Sequence, residues 1–565
     1  MKIWSLLSLV DIPYVMRPRV IDRAIEGIGL RKQSFLQGAM VLGAAGLATK
    51  GMAMMIQVVV ARELGAQGFG LFQTINPLFY LLLTISTLAL PPALSKVLAE
   101  NIAIGNLAKA RRAWRLSNGT VLVISAAVCL FALAFAPEIA AKWLDARATL
   151  PFIGALFRIP VVCLSSVMTG YYMGIQNQTP PAVAWIVETA VRTMTTIPLV
   201  IAFSPHGIQY GALAVMIGAG LGEAAGYLFM LSRYLARDRK AMEHAVQAAS
   251  SSTQANASVQ GTARDLVQIA LPNTITNITG IVAFAAEPVI MYLAFAKIGI
   301  PKSQATALYG AFGMAMELLF LPTVLSSALS SVVIPAVSEA AALRNGALVT
   351  RRLNQVIQAT MFLALPATVF FTLSGHDLAT SLYNVKLAGD ILAYVAPTCA
   401  FLYVLDPLSA VLQGLNKAAI STLISLVTSA IRIGCIYYFV GIEREGIYGV
   451  ATAVAIAGIV STVISVYFVR KYVHLWVNFL NVGKMLIAAA LASVPIRETQ
   501  VALHSLSPSL QVAVSGIVGL FTYLVAAIYL RVVRVEQLER IPVFGTVLVS
   551  VLAKMPFVSS HNTAR

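Results

Sequence analysis

Nine ionisable side chains lie in stretches of sequence otherwise too apolar for water: Lys50, Arg158, Glu188, Arg192, Glu223, Glu287, Glu317, Asp406 and Arg432. A charge at the centre of a bilayer costs about 2.5 to 3.5 kcal/mol on insertion scales, so each must be paired or must face water. Glu188 and Arg192 are four residues apart, the spacing at which an acid and a base on one helix meet, and are expected to pair with each other. Arg432 has no acid four residues before it, since Thr428 stands there, and must find one elsewhere or face a wet cavity. Arg158 is expected to snorkel to the outer interface. Lys50, flanked by Thr49 and Gly51 near mid-depth of the first apolar run, would give a desolvated phosphate a strong charge-assisted partner. Glu287 and Glu317 could balance Lys50, bind a coupling cation, or form a plain buried ion pair. Glu223, after Gly222, and Asp406, before Pro407, read as packing or hinge positions. Asn76-Pro77, Pro91-Pro92, Pro272-Asn273 and Glu287-Pro288 would interrupt helix hydrogen bonding and free carbonyls for motion or ligand contact.

The elements that carry these residues follow from composition. With 58% hydrophobic and 11% charged residues and a mean hydropathy of +0.82, the 565-residue chain prefers lipid to water, which excludes a soluble multidomain enzyme. Apolar runs fall near 36–60, 72–94, 116–136, 153–173, 183–203 and 208–231, then near 266–294, 306–336, 355–374, 390–414, 419–440 and 446–469, with two more near 482–496 and 511–530. Backbone polar groups in hydrocarbon must be satisfied within their own segment, so these runs are read as helices. The expected fold is an all-α membrane protein of about 14 transmembrane helices, two six-helix lobes related by a parallel internal repeat plus a C-terminal helix pair. Its boundaries are a cytoplasmic extension 1–33, lobes 34–231 and 265–469, a cytoplasmic linker 232–264, the final pair 470–530 and a cytoplasmic tail 531–565. The first 33 residues lack a continuous apolar core and are read as a surface-lying extension rather than a cleavable leader.

Charge decides orientation. Polar segments on the side of the termini carry 28 Lys and Arg and the opposite segments 8, a bias that places both termini in the cytoplasm. Topology thus absorbs most of the net charge of +17, and no nucleic-acid partner is needed. The four cysteines lie in apolar runs and the six histidines lack ligand spacing, so neither a disulfide framework nor a metal site is expected.

The two halves echo each other. Gly174 to Arg192 matches Gly414 to Arg432 at an offset of 240; Gly207 to Gly211 resembles Gly446 to Gly449; Pro92 to Ser95 and Arg111-Arg112 resemble Pro335 to Ser338 and Arg351-Arg352. Several matches in one order at nearly one offset imply duplication. Six helices per copy give both copies the same orientation, the plan of a rocker with a cavity at the repeat interface.

The segment Ala61-Arg62-Glu63-Leu64-Gly65-Ala66-Gln67-Gly68-Phe69-Gly70-Leu71-Phe72, after a span with Lys50 at its middle, resembles the polysaccharide-transporter branch of the multidrug, oligosaccharidyl-lipid and polysaccharide flippase superfamily. Leu83 to Thr87, Pro92 to Ser95 and Gln413 to Asn416 are similar to its stage V sporulation protein B group, with lipid II flippases as cousins, over roughly residues 34–530. The resemblance implies a cavity lined by the first helix, a final helix pair forming a groove for a lipid tail, and export of a lipid-linked saccharide head group across the bacterial inner membrane. Gln57 stands where these relatives commonly carry a second basic residue, so the cationic cluster for a pyrophosphate is thinner here.

The candidate substrate-cavity residues are therefore Lys50, Gln57, Asn76, Asn273, Glu287, Glu317 and Arg432, with a polyprenyl-linked saccharide and membrane lipids as partners. No cofactor is expected. The chain has no Gly-x-x-x-x-Gly-Lys-Ser/Thr loop for ATP, which leaves the membrane potential, sodium or protons as drive; the oligomeric state stays open. Two alternatives stand: a cation-coupled multidrug or metabolite exporter of the same superfamily, and a membrane glycosyltransferase or polymerase. The second is disfavoured by external segments too short for an active site.

Overall fold

A computed structural model describes residues 35–239, 259–343, 345–473 and 479–532; the expected N-terminal extension, most of the linker and most of the tail lie outside the described residues. The described chain is helical throughout. The first half comprises α1 (Phe35–Thr87), α2 (Leu90–Ala103), α3 (Leu107–Ala134), α4 (Ala136–Trp143), α5 (Thr149–Leu156), α6 (Ile159–Gly174), α7 (Thr179–Phe203) and α8 (Ile208–Arg233). There follow α9 (Val259–Lys297), α10 (Lys302–Leu319), α11 (Thr323–Ala342), α12 (Gly346–Tyr383), α13 (Lys386–Val395), α14 (Cys399–Gly414), α15 (Ala418–Gly441) and α16 (Ile447–Tyr472). The chain then forms α17 (Phe479–Ala502) and α18 (Pro508–Tyr529).

Among the described residues, eleven helices are long and apolar enough to cross a membrane, or twelve if the pair 146–156 and 159–174, bent by 41°, is one span. That number counts 48–103 once, although the backbone leaves helical geometry at Gly65 (φ 61°, ψ −172°) and again at Leu88 and Ala89 (φ 48° and 47°). A straight helix of 53 residues would be about 80 Å long, more than twice a hydrocarbon core, so the Gly65 break divides α1 into two arms. Glycine tolerates the positive φ that such a break needs. The second arm starts at once after the turn, six residues before the apolar run expected near 72.

Local geometry repeats at an offset near 240. Gly174 lets its helix approach the backbone of Ser95 and the side chain of Leu98, while Gly414 does the same against Ile334 and Val337. Gln176 and Asn416 then both turn left-handed at φ 58°. Asn106 and Asn345 cap α3 and α12 by accepting from Lys109 N and Leu348 N.

The cores divide unevenly. Around Gly65, residues of both halves share one cluster: Ile56, Val60, Leu64 and Phe69 pack with Phe295, Tyr309, Phe312 and Tyr383. Toward the far ends of the helices the packing separates, with Leu94, Trp114 and Tyr171 in one cluster and Val337, Leu353 and Val411 in another. We call these the Gly65 end and the far end. Helix α9 belongs to both sides: Leu266 and Ala270 complete the first half's cluster, Met291 and Phe295 the shared one. Between them Leu271, Pro272, Asn273, Ile275 and Val282 are exposed. The final pair docks on α12, with Tyr523 Oη donating to Phe362 O (3.0 Å) and Gln500 Nε2 to Ser374 Oγ (2.7 Å).

Candidate functional site

The two halves meet in the shared cluster and pack separately beyond it. The second arm of α1 and helix α10 meet through glycines: Gly70 lies against Thr306 O, Gly310 against Ala66 O, and Gly313 against the side chain of Gln73. One helical turn beyond those contacts, about 5 Å toward the far end, come Asn76 on α1 and Glu317 on α10. Pro77 removes a backbone donor at the same level, which leaves the carbonyl of Gln73 without its helical partner. Across from them Tyr383 Oη reaches Met54 Sδ at 4.0 Å, and the Glu317 carboxylate acts electrostatically on the same hydroxyl. Lys50 is one turn from Met54 on the same helix face, deeper toward the far end.

Lys50, Gln57, Asn76, Asn273 and Glu317 have no hydrogen-bond or ion-pair partner among the described residues, and none of them is fully buried. Polar groups left open at this depth need water or a ligand. Asn76 and Glu317 each follow the contact between α1 and α10 by one turn, Lys50 lies one turn from Met54, and Asn273 lies on the exposed middle of α9.

Of the readings left open for Glu287, the structure shows the buried ion pair and not a balance for Lys50. Arg432 Nη2 lies 2.8 Å from Glu287 Oε2, joining α15 to α9, with side-chain exposures of 25% and 5%. The pair is close but poorly aligned, so Glu287 Oε2 and Arg432 Nε make no hydrogen bond. Arg432 thus finds its acid on another helix, and Glu287 is occupied by an internal cation.

In the first half, Glu188 and Arg192 pair as their spacing implies. Arg158 does not snorkel: its Nε and Nη2 hold both oxygens of Glu223 at 3.1 and 2.6 Å, and its Cζ lies 4.6 Å from the Phe79 ring centre. Arg192 reaches Glu223 Oε1 at 3.4 Å, so Glu223 is an ion-pair hub rather than a hinge. Two acids and two bases close a neutral quartet. Desolvation makes any one of them alone expensive, which is why they meet. Asp406 accepts from Ser327 Oγ at 2.7 Å.

Residue types alone did not single out the closure at the Gly65 end. Lys302 Nζ donates to Ala141 O and Lys142 O (2.6 and 3.0 Å), Arg62 to Leu382 O and Ser381 O (both 2.7 Å), and Thr306 Oγ1 to Asp145 Oδ2 (3.1 Å). Each bond ties one half to the other. Backbone acceptors carry no sequence signature, whereas the small residues Gly68 and Gly70 beside Gly65 were a usable sign of close approach.

Burial works to raise the pKa of Asp145, but hydrogen bonds and charge from Arg147, with Thr306, outweigh it and hold it below the usual carboxylate range. A depressed folded pKa contributes stability that is full above the unfolded value, about 3.9, and lost as pH falls through the folded one. Spin labels at Glu138→Cys and Gln304→Cys, on opposite halves, are expected to keep one separation down to about pH 4 and to spread below it. Asp145→Asn should remove that pH response; a response unchanged by Asp145→Asn would remove Asp145 from the latch.

A family model described as polysaccharide biosynthesis protein matches residues 35–341, and one described as lipid II flippase MurJ matches residues 293–515. Stage V sporulation protein B of Bacillus subtilis (strain 168) is 28% identical over 529 residues, covering 92% of this chain and all of that protein. Lipid II flippase MurJ of the same organism is 24% identical over 424 residues, 69% of this chain and 75% of that one. Among solved structures, lipid II flippase MurJ in an inward closed conformation aligns with a TM-score of 0.66 at 14% identity, over 87% of this chain and 99% of that one. An inward-facing multidrug resistance MATE family transporter aligns at 0.61 and 14%, over 77% and 98%. These likenesses at low identity show the fold; the family-model match over more than half the chain shows the family. The chain is a multi-pass membrane protein that belongs to the polysaccharide biosynthesis protein family, within the flippase branch of the multidrug, oligosaccharidyl-lipid and polysaccharide superfamily.

Proposed function

We propose that this protein moves a lipid-linked oligosaccharide or cell-wall precursor from the cytoplasmic to the outer leaflet by alternating access. The observation that carries this reading is the split core: one shared cluster at the Gly65 end, separate clusters at the far end, and unpartnered polar side chains where they part. The bias of 28 to 8 basic residues supports a far end and termini that face the cytoplasm of the bacterial inner membrane, the side where the precursor is made. A division of α1 at Gly65, with α2 joined to its second arm, α5 to α6, α10 to α11 and α13 to α14, supports the reading of fourteen crossings. The matched turns at Gln176 and Asn416 and the matched caps at Asn106 and Asn345 support two duplicated lobes of six.

In this mechanism the head group enters a cleft between the halves while its polyprenyl tail stays in lipid, guided by the groove beside α17 and α18. Lys50 meets the phosphate; Gln57, Asn76 and Asn273 hydrogen-bond to sugar or phosphate oxygens. Rocking then breaks the bonds of Lys302, Arg62 and Thr306 and opens the Gly65 end. A membrane potential negative inside favours outward movement of an anion by about 2.3 kcal/mol per charge per 100 mV. Sodium or proton coupling falls to Glu317, since Arg432 already neutralises Glu287. Labelled lipid-linked oligosaccharide in inverted vesicles tests this. Lys50→Ala is expected to lower translocation about 10- to 100-fold, the worth of one charge-assisted hydrogen bond. Equal rates would sink the assignment of Lys50.

The unpaired Glu317 carboxylate, one turn beyond the contact between α1 and α10, favours a second reading, export of cationic drugs or metabolites, which the likeness to multidrug transporters fits. Lipid-independent resistance to cationic dyes in a transporter-deficient strain, lost in Glu317→Gln, would select it. The matched family model and the relative that are described as lipid II flippase MurJ support transport over glycosyl transfer or polymerisation.

A further inference from the structure

At the far end a cavity of about 740 Å³ opens between the end of α11, the start of α12, the turn after α14 and the end of α16. Ala341, Gly346 and Ala347 leave it wide, and Arg470 and Lys471 line it. Among the described residues neither of these bases has an ion-pair or hydrogen-bond partner, and none that lines the space carries a carboxylate. Tyr472 also lines it and holds Lys417 Nζ 5.3 Å from its ring centre, so a third cation stands at its edge. The volume lies within the range of small-molecule sites, roughly 300 to 1,000 Å³.

The first half shows what this junction looks like when the chain fills it. There the Tyr234 ring lies 5.2 Å from Trp114 and 5.3 Å from Tyr171, and a π-helical turn, Tyr234–Asp238, brings a carboxylate inward. Buried Asp238 accepts from Tyr172 Oη at 2.8 Å. At the matching positions the second half has Leu353, Val411 and Leu412 in place of Trp114, Tyr171 and Tyr172, while Tyr472 stands where the first half has Tyr234. The Trp114 and Tyr171 rings and the hydroxyl that holds the internal anion have no counterpart, while the aromatic ring of Tyr472 and the bases beside it remain.

We propose that this cavity binds a phosphate ester at the cytoplasmic membrane surface, with the head group of an anionic phospholipid as its source. Phospholipid phosphates lie at the depth where spanning helices end, and clustered Lys and Arg there are attracted to anionic lipid. The site is separate from the translocation cleft, so its test does not depend on transport.

Full-length protein in detergent would be titrated with phosphatidylglycerol, phosphatidylcholine and glycerol 3-phosphate and read by native mass spectrometry. Phosphatidylglycerol is expected to bind and phosphatidylcholine not to compete. The double variant Arg470→Ala with Lys471→Ala should bind phosphatidylglycerol about thirtyfold more weakly, from two surface charges. Gly346→Phe should block binding with both bases intact, since a Cβ at Gly346 meets nothing within 4 Å and the ring beyond it can occupy the cavity that Gly346 lines; a melting temperature equal to wild type checks that the fold is kept. Glycerol 3-phosphate binding as tightly as the lipid, and lost in the same variants, would keep the phosphate site but make its source soluble. Wild-type affinity for phosphatidylglycerol in both variants, or equal binding of phosphatidylcholine, overturns the proposal.

Discussion

Arg432→Ala is expected to lower the stability of the protein in detergent by about 3 kcal/mol, because it leaves Glu287 buried without a counter-charge. The quarter exposure of Arg432 places the effect at the lower end of the range for buried pairs. Glu287→Gln combined with Arg432→Met should recover most of the loss, since replacing both partners removes the uncompensated charge. Thermal unfolding of the two variants beside wild type measures both effects. A single variant that melts with wild type would mean that water, not Arg432, satisfies Glu287, and would return that carboxylate to the pool of cation sites.

Gly310→Val is expected to exclude the closed arrangement at the Gly65 end. A Cβ at Gly310 would stand 1.8 Å from Ala66 O and 2.7 Å from Gly70 N, both backbone atoms that cannot rotate away. Overpacking of this kind costs about 1 to 3 kcal/mol, which shifts a two-state equilibrium about 5- to 150-fold. The Glu138 and Gln304 label pair should report a larger separation, with transport falling in parallel. Gly119→Val is the control, because nothing lies within 4 Å of its Cβ. Unchanged label distances in Gly310→Val would show that the halves do not need this contact to close.

Which features of this molecule could be read from its residues depends on how far each interaction reaches along the chain. Helicity follows from apolar composition and the need to satisfy the backbone in lipid, and Glu188–Arg192 follows from a spacing of four on one helix. Arg158–Glu223 and Glu287–Arg432 join residues 65 and 145 positions apart, and no periodicity links them. Snorkelling was the local solution for Arg158; a nearby acid on α8 gave a better one. Asn76 and Asn273 were named for the prolines beside them, yet only the packing of Gly70, Gly310 and Gly313 sets Asn76 level with Glu317. Lys50 and Gln57 were named on grounds of depth and likeness, and the fold leaves both without an internal partner among the described residues.

The double allegiance of α9 sets a limit on how this protein can be divided. A fragment ending in the segment 240–258 would lack Leu266 and Ala270, which complete its own apolar cluster, and the Lys109 ammonium would lose Asp265, 2.5 Å away. Such a truncated product would expose an unfilled seam to lipid and become prey for membrane proteases. Supplied in trans, the remainder of the polypeptide is expected to restore it by inserting α9 as a wedge, because that one helix belongs to the apolar clusters of both halves.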